Sequence, residues 1–436
     1  MSSRAMLCWL VLLPLLCAAS ATEAQNPDRR QEPGDASLQF VIYLSRHGVR
    51  SPTGKAEQYN KFAAAPWPQW DVPPGYLTAH GYQLMKLFGA YDRAKLAAEG
   101  LLTPEGCADA KRISILADSD QRTRETGKAI AEGLLPGCAI DVKAMPEGKT
   151  DPLFHSLEAN PDAINHQLAA AAIAGRIGGD ANSLTEAYRP QLIELDRILA
   201  GCGRTAPNAK PRVSLLDVPS TLGAGAGDHP ADLRGPLSTA STLSEILLLE
   251  YTEGMTVANT GWGCADGAKV RELMQLHSAA ADFTQRTPAI ARMYASNLLD
   301  RIGRALEQSA TGKAVAGAPS KPGDRVLFLV GHDTNIASLA GALGLTWIAD
   351  GRRDDTPPGG ALVFTLWRSR TDGKLFVRVS YTAQTLEQMR ESQTLNLSRP
   401  PADVPVFVPG CSGASGSCDW GNFQSMIQRI TSSLGQ

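Results

Sequence analysis

The stretch Arg46-His47-Gly48-Val49-Arg50-Ser51-Pro52-Thr53 gathers two guanidiniums and a hydroxyl around one imidazole, directly after a short apolar run. A phosphoryl group presents several anionic oxygens, and the arginine fork binds such oxygens two at a time without losing its charge. A neutral imidazole nitrogen is nucleophilic, and neighbouring guanidiniums lower its pKa by like-charge repulsion, so His47 is placed to attack phosphorus. The product is a phosphohistidine. Any one of these residues alone reads as part of a solvated basic turn. The whole octet points instead to phosphoryl transfer.

Gly331-His332-Asp333-Thr334-Asn335 supplies what the first motif lacks. A leaving alkoxide needs a proton, and Asp333 can give one if its pKa is raised. Asp333 or Thr334 can equally cap the helix that the next residues form. His332 either donates to a phosphate oxygen or is a buried histidine bonded to backbone. Arg122, in Gln121-Arg122-Thr123-Arg124, stands at the start of an expected helix, where backbone N–H groups already favour anions, and is preferred over Arg124. His80, His155, His166, His229 and His277 show no metal-ligand spacing and are assigned no chemistry. No Walker A loop, GxSxG elbow or dinucleotide fingerprint is present, which argues against an ATPase, a serine hydrolase and a dehydrogenase.

Three elements must bring these motifs together. Leu38–Leu44, Ile113–Ala117 and Val326–Val330 are short apolar runs rich in β-branched residues, and each leads into one of the motifs through a polar turn. In open α/β sheets ligands bind beyond the carboxyl ends of the strands, so the turns can converge. Residues 162–297 are poor in strand signals and read as an inserted helical cap carrying a flexible Gly223–Gly227 stretch. Ala361–Trp367 and Leu375–Tyr381 read as an antiparallel edge joined through Asp372-Gly373.

The composition is that of a globular protein: 436 residues, 43% hydrophobic, 20% charged and a formal net charge of −2. No field of the kind that nucleic-acid binders carry is present, so anion recognition must be local. Residues 1–24 read as a secretory signal: Arg4, an apolar run from Met6 to Cys17, then Ala19-Ser20-Ala21. A lipoprotein reading would use Cys17, but Leu16 is larger than that processing normally wants. No later apolar run is long enough to cross a bilayer, and a monomer is expected. Cys107, Cys138, Cys202, Cys264, Cys411 and Cys418 remain after the signal, an even set that favours disulfides in an exported chain. Spacing suggests Cys411 with Cys418 and Cys107 with Cys138, leaving Cys202 with Cys264 by exclusion, although six cysteines permit fifteen pairings.

With these motifs in view the chain resembles the histidine acid phosphatase family, nearest to its bacterial periplasmic phytases and acid phosphatases. RHGxRxPT at Arg46–Thr53 and the pair His332-Asp333 carry the resemblance. Supporting segments are Gly75-Tyr76-Leu77-Thr78, Asp151-Pro152-Leu153-Phe154, Gly261-Trp262-Gly263 and Asp355-Thr356-Pro357-Pro358-Gly359-Gly360. The resemblance implies an α/β fold with a phosphoglycerate-mutase-like mixed-sheet core flanked by helices and an inserted α-helical cap domain. The expected division is core at 37–62, cap elements at 63–104, core at 105–155, cap at 156–285 and core at 286–436.

It further implies that Arg46, Arg50, Arg122 and His332 hold the phosphate, that Thr53 lines the substrate site, and that Asp333 is the general acid. Glu245 falls where the bacterial phytases place a substrate-site glutamate, with a helix surface charge as the other reading. Lys55 is a substrate-site residue in the same pattern, but Gly54 intervenes between it and Thr53. Cys264 also lies further from Cys202 than the resemblance leads one to expect. The function implied is a secreted or periplasmic phosphomonoester hydrolase without cofactor or metal, with phytate as the favoured substrate. The competing readings are a glucose-1-phosphatase or general acid phosphatase, a mutase, and a non-catalytic binding protein for phosphate esters.

Overall fold

The computed structural model describes residues 35–202 and 211–432; the expected signal segment lies outside them. Eight strands form the main sheet: β1 (Ala36–Arg46), β2 (Ile113–Ala117), β3 (Val142–Lys143), β4 (Val326–Gly331), β5 (Ala361–Ser369), β6 (Leu375–Ala383), β7 (Ala402–Val406) and β8 (Cys418–Asp419). Their order is β7-β6-β5-β1-β4-β2-β3, with β8 also beside β6. β1, β4, β2 and β3 run parallel, and β5 to β8 add an antiparallel half. The sheet is thus mixed, as expected.

The longer helices are α1 (Ala79–Ala98), α2 (Gln121–Leu134), α3 (His166–Ile177), α4 (Arg189–Leu199), α5 (Pro236–Thr252), α6 (Gly267–Thr284), α7 (Pro288–Thr311), α8 (Asp333–Leu343) and α9 (Trp420–Ser432). Side chains alternate across a strand, and β1 shows the result. Phe40, Ile42 and Leu44 enter one apolar cluster with residues of α7, α8 and α9. Val41 and Tyr43 enter another with residues of α1 and α2. Both faces of the sheet are therefore covered, which is why its central strands read as continuous apolar runs rather than as alternating ones.

Helices α3 to α6 build a third apolar cluster of their own, around Ile173, Leu195, Leu247 and Leu273. The region that reads as poor in strand signals carries a short hairpin, Thr221–Ala224 against Ala231–Arg234. Each strand has only four residues, too few for Ala231-Asp232-Leu233-Arg234 to stand out by its alternation, and Thr221–Ala224 has none. The disulfides Cys107–Cys138, Cys202–Cys264 and Cys411–Cys418 are those suggested by spacing and exclusion. Among the described residues, no helix is long and apolar enough to cross a membrane.

Candidate active site

The parallel register sets the site. Arg46 at the end of β1 stands opposite Gly331 at the end of β4, and Ala117 at the end of β2 pairs with Val330. The three turns beyond these strand ends therefore emerge side by side, and backbone bonds lock them there. His47 N donates to Gly331 O at 3.0 Å, Asp118 N to Val330 O at 3.0 Å, and Gly359 N to His47 O at 2.9 Å. The loop after His47 lies against the start of α1, where only glycine fits: a Cβ on Gly81 would stand 2.1 Å from the Val49 carbonyl oxygen.

His47 is 2% exposed. Its Nδ1 lies 2.9 Å from the Gly48 carbonyl, which can only accept, so Nδ1 carries the proton and Nε2 keeps its lone pair. Burial, followed by the charges of Arg122, Arg46 and Arg50, holds the imidazole well below its ordinary pKa. The neutral, nucleophilic form of the ring is thereby favoured.

Arg46, fully buried, donates through Nη1 to Thr356 O at 2.6 Å, and its Nη2 bonds Glu245 Oε1 and lies 3.2 Å from Asp333 Oδ2. Arg50 Nη2 donates to the same Glu245 oxygen at 3.1 Å. Glu245, on α5, is no surface charge: despite burial, Arg50 and Arg46 pull its carboxyl down to about 2. Arg122 enters from the first turn of α2, with Nη1 donating to Gly75 O at 3.4 Å and Nη2 facing His332 Nδ1 at 3.5 Å and Asp120 Oδ2 at 2.5 Å. Gly75 lies against both Thr53 and Arg122: a Cβ there would stand 3.5 Å from the Thr53 methyl and 3.6 Å from Arg122 Nη1. Lys55 is exposed and lines a cavity of about 320 Å³ with Tyr59, Trp67 and Trp70. It makes none of the contacts of the arginine cluster.

His332, at 7% exposure, is the N-cap of α8, so the cap is neither Asp333 nor Thr334, the residue types that suggest themselves for that place. Its backbone N donates to Asn335 Oδ1, and Asn335 Nδ2 reaches Phe154 O. Its Nε2 lies 2.6 Å from Asp118 Oδ2. Asp333 divides its oxygens: Oδ1 accepts from Thr334 N at 2.8 Å, whereas Oδ2 faces Arg46 and, at 3.8 Å, His277 Nε2. The surroundings of Asp333 do not give the raised pKa that an acid needs. Burial favours the neutral form, but Arg46, His277 and Arg50 outweigh it and hold the carboxyl below the usual range.

Sequence reasoning missed Asp118, His277 and His155 as members of this cluster. His277 comes from α6, a helix more than fifty residues before Asp333, and His155 Nε2 lies 2.8 Å from Asp118 Oδ2. Neither belongs to a local motif; the position of His155 directly after Asp151-Pro152-Leu153-Phe154 is the one available signal.

Comparison with known proteins agrees with this arrangement. Residues 37–196 and 238–382 match the histidine phosphatase superfamily (branch 2). The phytase AppA of Escherichia coli (strain K12) is 36% identical over 426 residues, 96% of this chain and 97% of that protein. The glucose-1-phosphatase of Providencia rettgeri is 29% identical over 425 residues, 96% and 98% of the two chains. The structure of Hafnia alvei phytase in complex with tartrate superposes with a TM-score of 0.85 at 33% identity, covering 93% of this chain and 99% of that one. With an RHGxRxPT motif, an HD pair and a mixed sheet that joins them, the chain belongs to branch 2 of the histidine phosphatase superfamily.

Proposed function

We propose that the protein hydrolyses phosphomonoesters through a phosphohistidine on His47, with phytate as the favoured substrate. The observation that carries this reading is the buried imidazole itself, its Nδ1 proton committed to Gly48 O and its flanks occupied by three guanidiniums. The substrate phosphate replaces the Glu245 carboxylate on Arg46 and Arg50, and Arg122 and His332 close on its remaining oxygens. His47 Nε2 attacks phosphorus as the ester P–O bond breaks, and the leaving oxygen takes the proton of Asp333. Asp333 then accepts a proton from water, the water oxygen bonds phosphorus, and the P–N bond breaks to release phosphate and restore His47. The arginines and His332 offset the charge that gathers on the transferring group.

Phytate is favoured over glucose 1-phosphate by the higher identity to the Escherichia coli phytase than to the Providencia rettgeri glucose-1-phosphatase. Thr53 and Lys55 are proposed to face the rest of the substrate. Export is supported by three disulfides, and a division into sheet core and helical cap by the separate apolar cluster of α3 to α6. The test is phosphate release from phytate, glucose 1-phosphate and p-nitrophenyl phosphate at acidic pH, with EDTA present, by the protein and its His47→Ala variant. Activity that survives in the variant sinks the mechanism. Activity lost with glucose 1-phosphate as the preferred substrate overturns only the substrate assignment.

A further inference from the structure

Asp118 serves two imidazoles with one oxygen. His332 Nε2 lies 2.6 Å from Oδ2 and His155 Nε2 lies 2.8 Å from the same atom, while Oδ1 has no hydrogen-bond partner among the described residues. The carboxyl is fully buried. Burial opposes its ionisation, but the two imidazole bonds hold its pKa below the usual range, so it is ionised and both rings donate through Nε2. His332 Nδ1, turned toward Arg122, is then the atom whose protonation makes the ring a donor to phosphate.

The two rings differ in what else they do. His332 is nearly buried beside the arginines, whereas the His155 side chain is 35% exposed and bonds none of Arg46, Arg50 or Arg122. Their centroids are 5.1 Å apart, and the Asn335 to Phe154 bond ties the segment bearing His155 to the cap of α8. Two donors on one oxygen share its charge, so each weakens the other's hold. A charged His155 also repels a second cation at this distance.

We propose that His155 is a positioning residue that shares Asp118 with His332 and thereby sets the upper pH limit at which His332 donates to phosphate. The carboxylates facing His155 are Asp118, Glu158 at 3.8 Å from its Nδ1, Asp120 and Asp151. Together they favour its charged form, with the Asp118 bond the leading cause. His332, held down first by burial, takes its second proton later as pH falls, against the charge already on His155. Removing His155 frees Asp118 for His332 alone and moves the His332 titration upward.

The proposal rests on His332 being a phosphate donor, so the test reads titration and phosphate affinity separately. Imidazole nitrogen resonances of the full protein are followed with pH for wild type, His155→Leu and His155→Asn, and inorganic phosphate affinity is measured across the same range. In His155→Leu we expect His332 to titrate about one pH unit higher, with phosphate binding and kcat/KM retained to correspondingly higher pH. His155→Asn, which keeps a donor to Asp118 without the charge, should shift less, and it carries the test if the leucine variant does not fold. An unmoved or lowered His332 titration overturns the proposal, as does a loss of activity equal at every pH, the mark of a structural role. A raised titration with no change in phosphate affinity instead overturns the donor reading of His332.

Discussion

Glu245 gives the sharpest prediction, because its Oε1 occupies the guanidinium hydrogens that a substrate phosphate needs. That oxygen accepts from Nη2 of both Arg46 and Arg50, so phosphate entry must break two charge-assisted bonds. Such bonds contribute about 1.5–3 kcal/mol each, and Glu245→Gln keeps a neutral acceptor worth roughly half as much. The variant therefore lowers the cost of phosphate entry by about 1.5–3 kcal/mol in total. This corresponds to roughly tenfold to hundredfold tighter binding of inorganic phosphate. With its pKa pulled down to about 2, the wild-type carboxylate is ionised throughout the working range, so the comparison holds at mildly acidic pH. Calorimetric titration with inorganic phosphate reads the affinity directly, and its inhibition of p-nitrophenyl phosphate hydrolysis gives an independent value. A glutamine variant that binds phosphate no more tightly than wild type refutes the displacement argument.

Two further outcomes are expected. Asp333→Asn should lower kcat for alkyl phosphates by about 10²–10⁴-fold but cost much less with p-nitrophenyl phosphate, whose leaving group needs no proton; equal losses on both would remove Asp333 as the acid. Glu250, 1% exposed with only Gly261 N bonded to its Oε2, is pushed up to about 8 chiefly by burial. Its folded pKa exceeds the unfolded one, so its contribution to stability is complete below about 4.5 and is lost as pH rises toward 8. Glu250→Gln should consequently gain on wild type, on the order of a few kcal/mol, between those pH values; melting curves that keep a constant offset across that range would contradict this.

How much of the site is legible in the sequence depends on where its determinants lie. Arg46, His47 and Arg50 are packed into five positions, and His332 with Asp333 into two, each straight after a run apolar enough to announce a buried strand. Local density of chemical types is visible in one dimension. The carboxylate of Asp118 between two histidines, and His277 beside Asp333, exist only because β2, β4 and α6 meet, and no spacing announces that. Glu245 stands out by family pattern alone; its embrace by two arginines needs the fold. The expectation for Asp333 is incomplete for another reason. Its protonation depends on charges from Arg46, His277 and Arg50, all of which lie far from it in the sequence. Asp355–Gly360 carries part of the family resemblance, yet its use is mechanical: Thr356 O receives Arg46, and Gly359 and Gly360 pin the backbone on either side of His47.

The placing of β1 has a consequence for how the chain comes into being. Both neighbours of β1 in the sheet, β4 and β5, begin only at residues 326 and 361, although β1 itself ends at residue 46. A growing polypeptide that has reached residue 320 has made His47 but owns nothing for that strand to zip against. Loop closure over such separations is slow, and the half-made chain stays open. A truncation before residue 326 would thus forfeit more than the HD pair: it would leave β1, and His47 beyond it, with no paired strand to hold them.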